Sequence, residues 1–135
     1  MTIPAFQAFD HVHVHVLDRV SAEEWYRRVL GLERYRPLEH WASDDGPLMV
    51  QNASGSVRLA LFQRPPMPTH VTVAMRVSGE DYRGWKKHLD DAINGCYEEQ
   101  DHGAAISIYF TDPDGNPFEI TTYDVTAAKG NARFS

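Results

Sequence analysis

The sequence predicts an α+β fold in which one strand–helix–three-strand unit is used twice. Two alternating runs, His11-Val12-His13-Val14-His15-Val16 and His70-Val71-Thr72-Val73-Ala74-Met75, each begin with a histidine and recur at a period of about 60 residues. A tryptophan-bearing amphipathic segment follows each run, around Trp25 and Trp85. Each copy closes on a second alternating run, Val57-Arg58-Leu59-Ala60-Leu61-Phe62 in the first and Pro117-Phe118-Glu119-Ile120-Thr121-Thr122 in the second. A repeat of this length is one supersecondary unit, each copy covering apolar surface that the other leaves open.

The elements follow in order. Residues 8–17 alternate in polarity and read as a strand. Ser21 lies three before Glu24, a capping-box spacing that opens a helix there. Ala22, Trp25, Tyr26, Val29 and Leu30 share one helical face, and Gly31 supplies the stop. Extended segments are expected near 33–41, 46–52 and 56–63, divided by Asp44-Asp45-Gly46-Pro47 and Asn52-Ala53-Ser54-Gly55. Arg64-Pro65-Pro66-Met67-Pro68 is a stiff connection, because proline fixes φ and disfavours helix in the residue before it. The second copy repeats the plan. A strand at 70–77 leads to a helix near 79–94 with Tyr82, Trp85, Leu89, Ala92 and Ile93 on one face, then to strands near 96–101, 105–111 and 117–123. The last hairpin turns on Asp112-Pro113-Asp114-Gly115-Asn116. The expected organisation is one domain over 1–135: module one at about 6–63, a linker at 64–69, module two at about 70–123, and a tail at 124–135 without clear period.

Composition narrows the function. A chain of 135 residues, 42% hydrophobic and 24% charged, can bury one core. The net charge of −6 leaves no basic face for phosphate, which argues against a nucleic-acid partner. No apolar run approaches the roughly 20 residues that span a bilayer, so no membrane association is expected. Cys96 is the single cysteine, so no intrachain disulfide can form, and a reducing cytoplasm is the expected setting.

Alternation places Val12, Val14 and Val16 on one face of the first strand and His11, His13 and His15 on the other, about 7 Å apart along it. Three buried imidazoles would each need a hydrogen-bond partner, so a polar cup suits them better than a dry core. A solvated sheet face is the plainer alternative. Duplication places His11 and His70 at related positions, and Glu119 stands where the first copy has Ala60. Two neutral imidazoles and a carboxylate with open coordination positions suit Fe(II), with Mn, Zn or Ni as alternatives. His11, His70 and Glu119 are therefore the candidate metal ligands.

On Phe9-Asp10-His11-Val12 with Asp18, on the helix from Trp25-Tyr26 to Leu30-Gly31-Leu32, on His70-Val71, and above all on Tyr109-Phe110-Thr111-Asp112-Pro113-Asp114-Gly115-Asn116-Pro117-Phe118-Glu119, the chain resembles the vicinal oxygen chelate superfamily. That superfamily includes glyoxalase I, bleomycin resistance proteins, fosfomycin resistance enzymes and extradiol dioxygenases. The resemblance implies paired βαβββ modules forming a curled mixed sheet around a metal cup, a homodimer, and ligands at His11, His70 and Glu119.

Its branches imply different chemistries. The glyoxalase branch uses a fourth ligand where this chain has Ala60. The fosfomycin-resistance branch shares Ser107-x-Tyr109, but its phosphonate substrate calls for cations, whereas Cys96 to Ala105 carries Glu98, Glu99 and Asp101 with no Lys or Arg. The extradiol dioxygenase branch has a tyrosine at the offset of Tyr109 from Glu119, and a histidine where this chain has Gly55-Ser56. His13, on the face of His11, or His102 could replace that histidine in proton transfer. The bleomycin-resistance branch is a metal-free binding dimer. The expectation is thus a divalent-metal-dependent enzyme with dioxygenase-type chemistry on a small oxygen-bearing molecule, with His13 and Tyr109 as catalytic groups. The alternatives are a metal-free drug-binding dimer and a glyoxalase- or fosfomycin-resistance-like lyase or transferase. Arg58, Phe62, Trp41 and Tyr123 are candidates for shaping the pocket.

Overall fold

A computed structural model describes residues 2–43 and 45–130. The first module runs β1 (Val12–Val16), α1 (Arg19–Leu30), β2 (Glu33–Arg34), a 3-10 helix (Arg36–Ala42), β3 (Leu48–Gln51) and β4 (Arg58–Gln63). The second runs β5 (Val73–Arg76), α2 (Gly79–Ala92), β6 (Glu98–Asp101), β7 (Ile106–Thr111) and β8 (Pro117–Thr122), and α3 (Val125–Ala128) follows. Each module builds a four-stranded mixed sheet with the same connectivity, β1-β4-β3-β2 and β5-β8-β7-β6. The leading strand pairs parallel to the closing strand, and the other pairings are antiparallel. The two sheets remain open, so β1 and β5 are both edge strands. This is the α+β, twice-used βαβββ plan that the repeat predicts.

Both helices start on side-chain caps. Asp18 caps α1 by accepting from the Ser21 N–H, and Ser21 Oγ also donates to it. The capping-box expectation therefore misplaces the start: Ser21 is the residue being capped, and the cap lies three positions earlier at Asp18. Gly31 ends α1 at φ +67°, where its N–H reaches Arg27 and that of Leu32 reaches Tyr26, the paired bonds of a left-handed stop. Ser78 caps α2 through the Asp81 N–H.

Four segments differ from the sequence reading. The strand expected over 8–17 is confined to Val12–Val16, so His11 precedes it. The strand expected over 33–41 stops at Arg34 and gives way to the 3-10 helix, because Pro37 lacks the N–H that a ladder needs. The strand expected from residue 70 begins at Val73, since the Thr69 hydroxyl accepts the Val71 N–H and turns the chain first. The segment after residue 123 forms α3, capped by Asp124 and packed on the start of α2. Gly79 permits that contact, because a Cβ there would lie 2.7 Å from both the Ala127 Cβ and the Asp124 carbonyl oxygen. Positions 131–135 of the expected tail lie outside the described residues.

One apolar cluster crosses both modules and includes Val14, Val16, Tyr26, Val29, Leu59, Leu61, Tyr82, Leu89, Ile108, Phe118 and Ile120. Burying each such side chain contributes about 1.5–3 kcal/mol. Within this cluster the Tyr26 ring packs edge-on to Phe118, and its hydroxyl donates to Asp112 Oδ2 at 2.6 Å. Asp112 is buried and also accepts from the Asp114 N–H, the Asn116 N–H and Asn116 Nδ2, which closes the hairpin into β8. Burial, and then the Asp112 charge, raise the pKa of the Tyr26 hydroxyl far above its ordinary value, so it stays protonated and donates to Asp112. Asn116 Nδ2 in turn reaches the His15 carbonyl at the edge of β1. Tyr26→Phe should lower unfolding free energy by about 1–3 kcal/mol, because it leaves a buried carboxylate short of a donor. Urea denaturation monitored by circular dichroism measures the loss.

Candidate functional site

Strand register sorts the candidate residues onto two open faces. In the first sheet His13 lies opposite Ala60, which lies opposite Met49, and His15 lies opposite Phe62. Val12 pairs with Leu59 at the start of the ladder, and His11 lies immediately before β1. Val14 and Val16 enter the core, while His11, His13 and His15 are exposed. In the second sheet Ala74, Glu119, Tyr109 and Glu98 form one row, and Arg76, Thr121, Ser107 and Gln100 form the next. The Phe118, Ile120, Ile108 and Phe110 side chains fill the opposite, buried face.

The histidine row of β1 is ordered by direct contacts. His11 Nδ1 lies 2.7 Å from Asp10 Oδ2, and His11 Nε2 lies 3.0 Å from His13 Nε2. The two imidazoles stack with centroids 5.0 Å apart, and His13 packs on Phe62 at 4.7 Å. The hydrogen bond with His11 holds the Asp10 carboxyl below its ordinary pKa, with a smaller contribution from Arg58. The Arg58 guanidinium lies over the Tyr35 ring at 4.7 Å and donates from Nε to Gln51 at 2.9 Å.

On the other sheet, Ser107 Oγ donates to Glu119 Oε2 at 2.8 Å. Tyr109, directly opposite Glu119, has its hydroxyl 3.0 Å from His102 Nε2, with the rings perpendicular. The β6–β7 hairpin that carries His102 is closed by the His102 N–H to the Ala105 carbonyl at 2.8 Å. The structure thus joins His11 to His13, Glu119 to Ser107, and Tyr109 to His102. His70 lies in the irregular segment before β5. Among the described residues of one chain, no three His, Cys, Asp or Glu side chains converge closely enough to hold a metal ion.

A cavity of about 330 Å³ opens between the start of β1 and β5, lined by residues that include His11, Ser56, Arg58, Val71, Ala74 and Met75. Of the residues expected to shape a pocket, Arg58 lines this cavity and Phe62 supports His13. Trp41 and Tyr123 are exposed and do not line it. Sequence reasoning quoted Asp10 only within the resemblance and gave it no role, whereas the structure sets it against His11. Its signal was a carboxylate directly before the candidate ligand His11.

No protein-family model matches the chain, and no curated protein matches it significantly. Solved structures do. Fosfomycin resistance protein FosX from Listeria monocytogenes, in its complex with Mn(II) and sulfate, superposes with a TM-score of 0.66 at 15% identity over 93% of this chain and 98% of that one. An integron cassette protein from the Halifax Harbour sewage outfall gives 0.68 at 19% identity, covering 87% and 99%. A glyoxalase family protein from Bacillus anthracis gives 0.62 at 21% identity, covering 91% and 100%. This chain has the vicinal oxygen chelate fold.

Within that fold the open faces of both sheets carry the polar residues described above, and the helices cover the buried ones. Tyr109→Phe should leave stability within about 0.5 kcal/mol, because its hydroxyl partner is an exposed histidine. It should also shift the His102 imidazole 15N resonances. Unchanged resonances would mean that the two side chains do not meet in solution.

Proposed function

We propose that this protein is a divalent-metal-dependent enzyme acting on a small oxygen-bearing molecule, with His11, His70 and Glu119 as the metal ligands. The observation that carries the reading is the preparation of two of these donors. His11 has its Nδ1 held by the Asp10 carboxylate, and Glu119 has one oxygen held by the Ser107 hydroxyl. Outer partners of this kind orient ligating groups and fix the histidine tautomer. The donor chemistry, two imidazoles and a carboxylate, fits Fe(II), Mn(II) and related first-row ions. FosX, which shares the fold, is complexed with Mn(II).

We further propose a homodimer in which His11 of one copy meets His70 and Glu119 of the other, since three donors do not converge within one chain. The N-terminal segment supports association, because Ile3, Phe6 and Phe9 are 86%, 96% and 99% exposed. Apolar side chains this open mark a surface that gains from being covered.

When bound, the ion would polarise vicinal oxygens of the substrate as a Lewis acid. The chain's own residues supply proton handling around it. The Tyr109 phenol, opposite Glu119 and joined to His102, would donate its proton to a substrate oxyanion and be reprotonated from the His102 imidazole. His13, in contact with His11, is the second candidate for proton transfer. Such groups contribute about 10²–10⁴ in rate. Dioxygenase-type chemistry remains the reading that the Tyr109–Glu119 offset favours. The acidic row of Glu98 and Glu119 favours a second reading, a metal-free dimer that holds a cationic molecule.

Calorimetric titration with Mn(II) separates the two. The wild type should bind one ion per chain, while His70→Ala and Glu119→Ala should each weaken binding at least about tenfold. Unchanged affinity in either variant would remove that residue as a ligand, and no binding by the wild type would favour the metal-free reading. Light scattering at micromolar concentration should return twice the 15.3 kDa chain mass.

A further inference from the structure

We propose that Arg58 anchors a single carboxylate of the substrate beside the His11 edge of the cup, so that the molecule bound there is a small monoanion with an apolar body. The inference deepens the function proposed above and rests on it for the place of the metal.

Among the described residues, Arg58 is the one Lys or Arg lining the cavity between β1 and β5. Its guanidinium is braced from three directions: the Tyr35 ring lies under it, Gln51 accepts from Nε, and Asp10 lies 3.8 Å from Nη1. Nη2 has no partner among the described residues. A braced fork with a donor to spare has its ordering cost met before a ligand arrives, and guanidinium geometry matches carboxylate oxygens two at a time. Asp10 does not fill that role. It is 74% exposed, beyond hydrogen-bond reach of Arg58, and in direct contact with His11.

Position makes the cation selective. Arg58, the first residue of β4, and His11, immediately before β1, line the same cavity. A carboxylate held at Arg58 therefore leaves a second oxygen function of the same small molecule within reach of His11. Apart from Asp10, Ser56 and Thr72, the rest of the cavity wall, which includes Val57, Leu59, Val71 and Met75, is apolar and suits a hydrocarbon or aromatic body. Charge sets the limit. One guanidinium can offset one negative charge of a ligand, and the nearby Asp10 carboxylate adds to the repulsion of a second, so a carboxylate fits better than a phosphonate.

The test uses the metal-free, full-length protein and three probes of matched body at pH 8: benzoate, benzamide and phenylphosphonate, titrated by NMR. Benzoate should bind more tightly than either of the others, and Arg58→Gln should weaken benzoate about tenfold or more while leaving benzamide unchanged. Should Arg58→Gln fail to fold, Arg58→Lys takes its place and should still weaken benzoate about threefold, since the fork is lost but the charge is kept. Equal binding of benzoate and benzamide, tighter binding of phenylphosphonate, or undiminished benzoate affinity in the folded variant would overturn the proposal. Mn(II) affinity measured on the same samples separates the two claims. Benzoate binding through Arg58 without Mn(II) binding keeps the anion site and removes the metal reading. Mn(II) binding without an Arg58-dependent benzoate preference does the reverse.

Discussion

Tyr26 and Asp112 meet in the core where the two modules pack, and the placement of the functional face follows from that contact. The phenol belongs to α1 of the first module, and the carboxylate organises the hairpin that enters β8 of the second. A buried carboxylate without donors would carry a severe desolvation cost, so the hairpin takes the one shape that gives Asp112 its four hydrogen bonds. That shape fixes where β8 starts. Because side chains alternate along a strand, it also fixes that Phe118 and Ile120 face inward while Glu119 faces the open side. A slip of one residue would bury the carboxylate and expose Phe118.

Asn116 extends the same network to the other sheet by donating to the His15 carbonyl at the end of β1. The strand carrying the histidines and the strand carrying Glu119 are thus referenced to one buried carboxylate. Duplication made this economical. Two copies of one unit need few contacts between them to place all their open-face residues, since each sheet is already determined by its own parallel closing strand.

Much of this was legible in the sequence, and the residues explain why. The valines of β1 alternate with its histidines, so the choice of buried face could be read from period alone, as could the apolar face of α1 through Ala22, Tyr26, Val29 and Leu30. The repeat gave the order of elements. Local competition obscured other points: Asp18 and Ser21 both suit a helix start, and only the hydrogen bond between them shows which is the cap. Pro37 ended β2 early, and α3 is too short to show a period. The contacts of Tyr26 with Asp112 and of Tyr109 with His102 leave no local trace, because their strength comes from where the chain brings distant residues. Asp10 next to His11 was in plain view, but its meaning required the 2.7 Å approach.

Diffraction from Mn(II)-loaded crystals, collected at the manganese absorption edge, tests the central claim most directly. The account predicts one anomalous peak per chain, about 2.0–2.2 Å from a His11 nitrogen, a His70 nitrogen and a Glu119 oxygen, with His11 contributed by the other copy. An ion bound without any one of these three residues, or no ion at all in a well-ordered lattice, would contradict it.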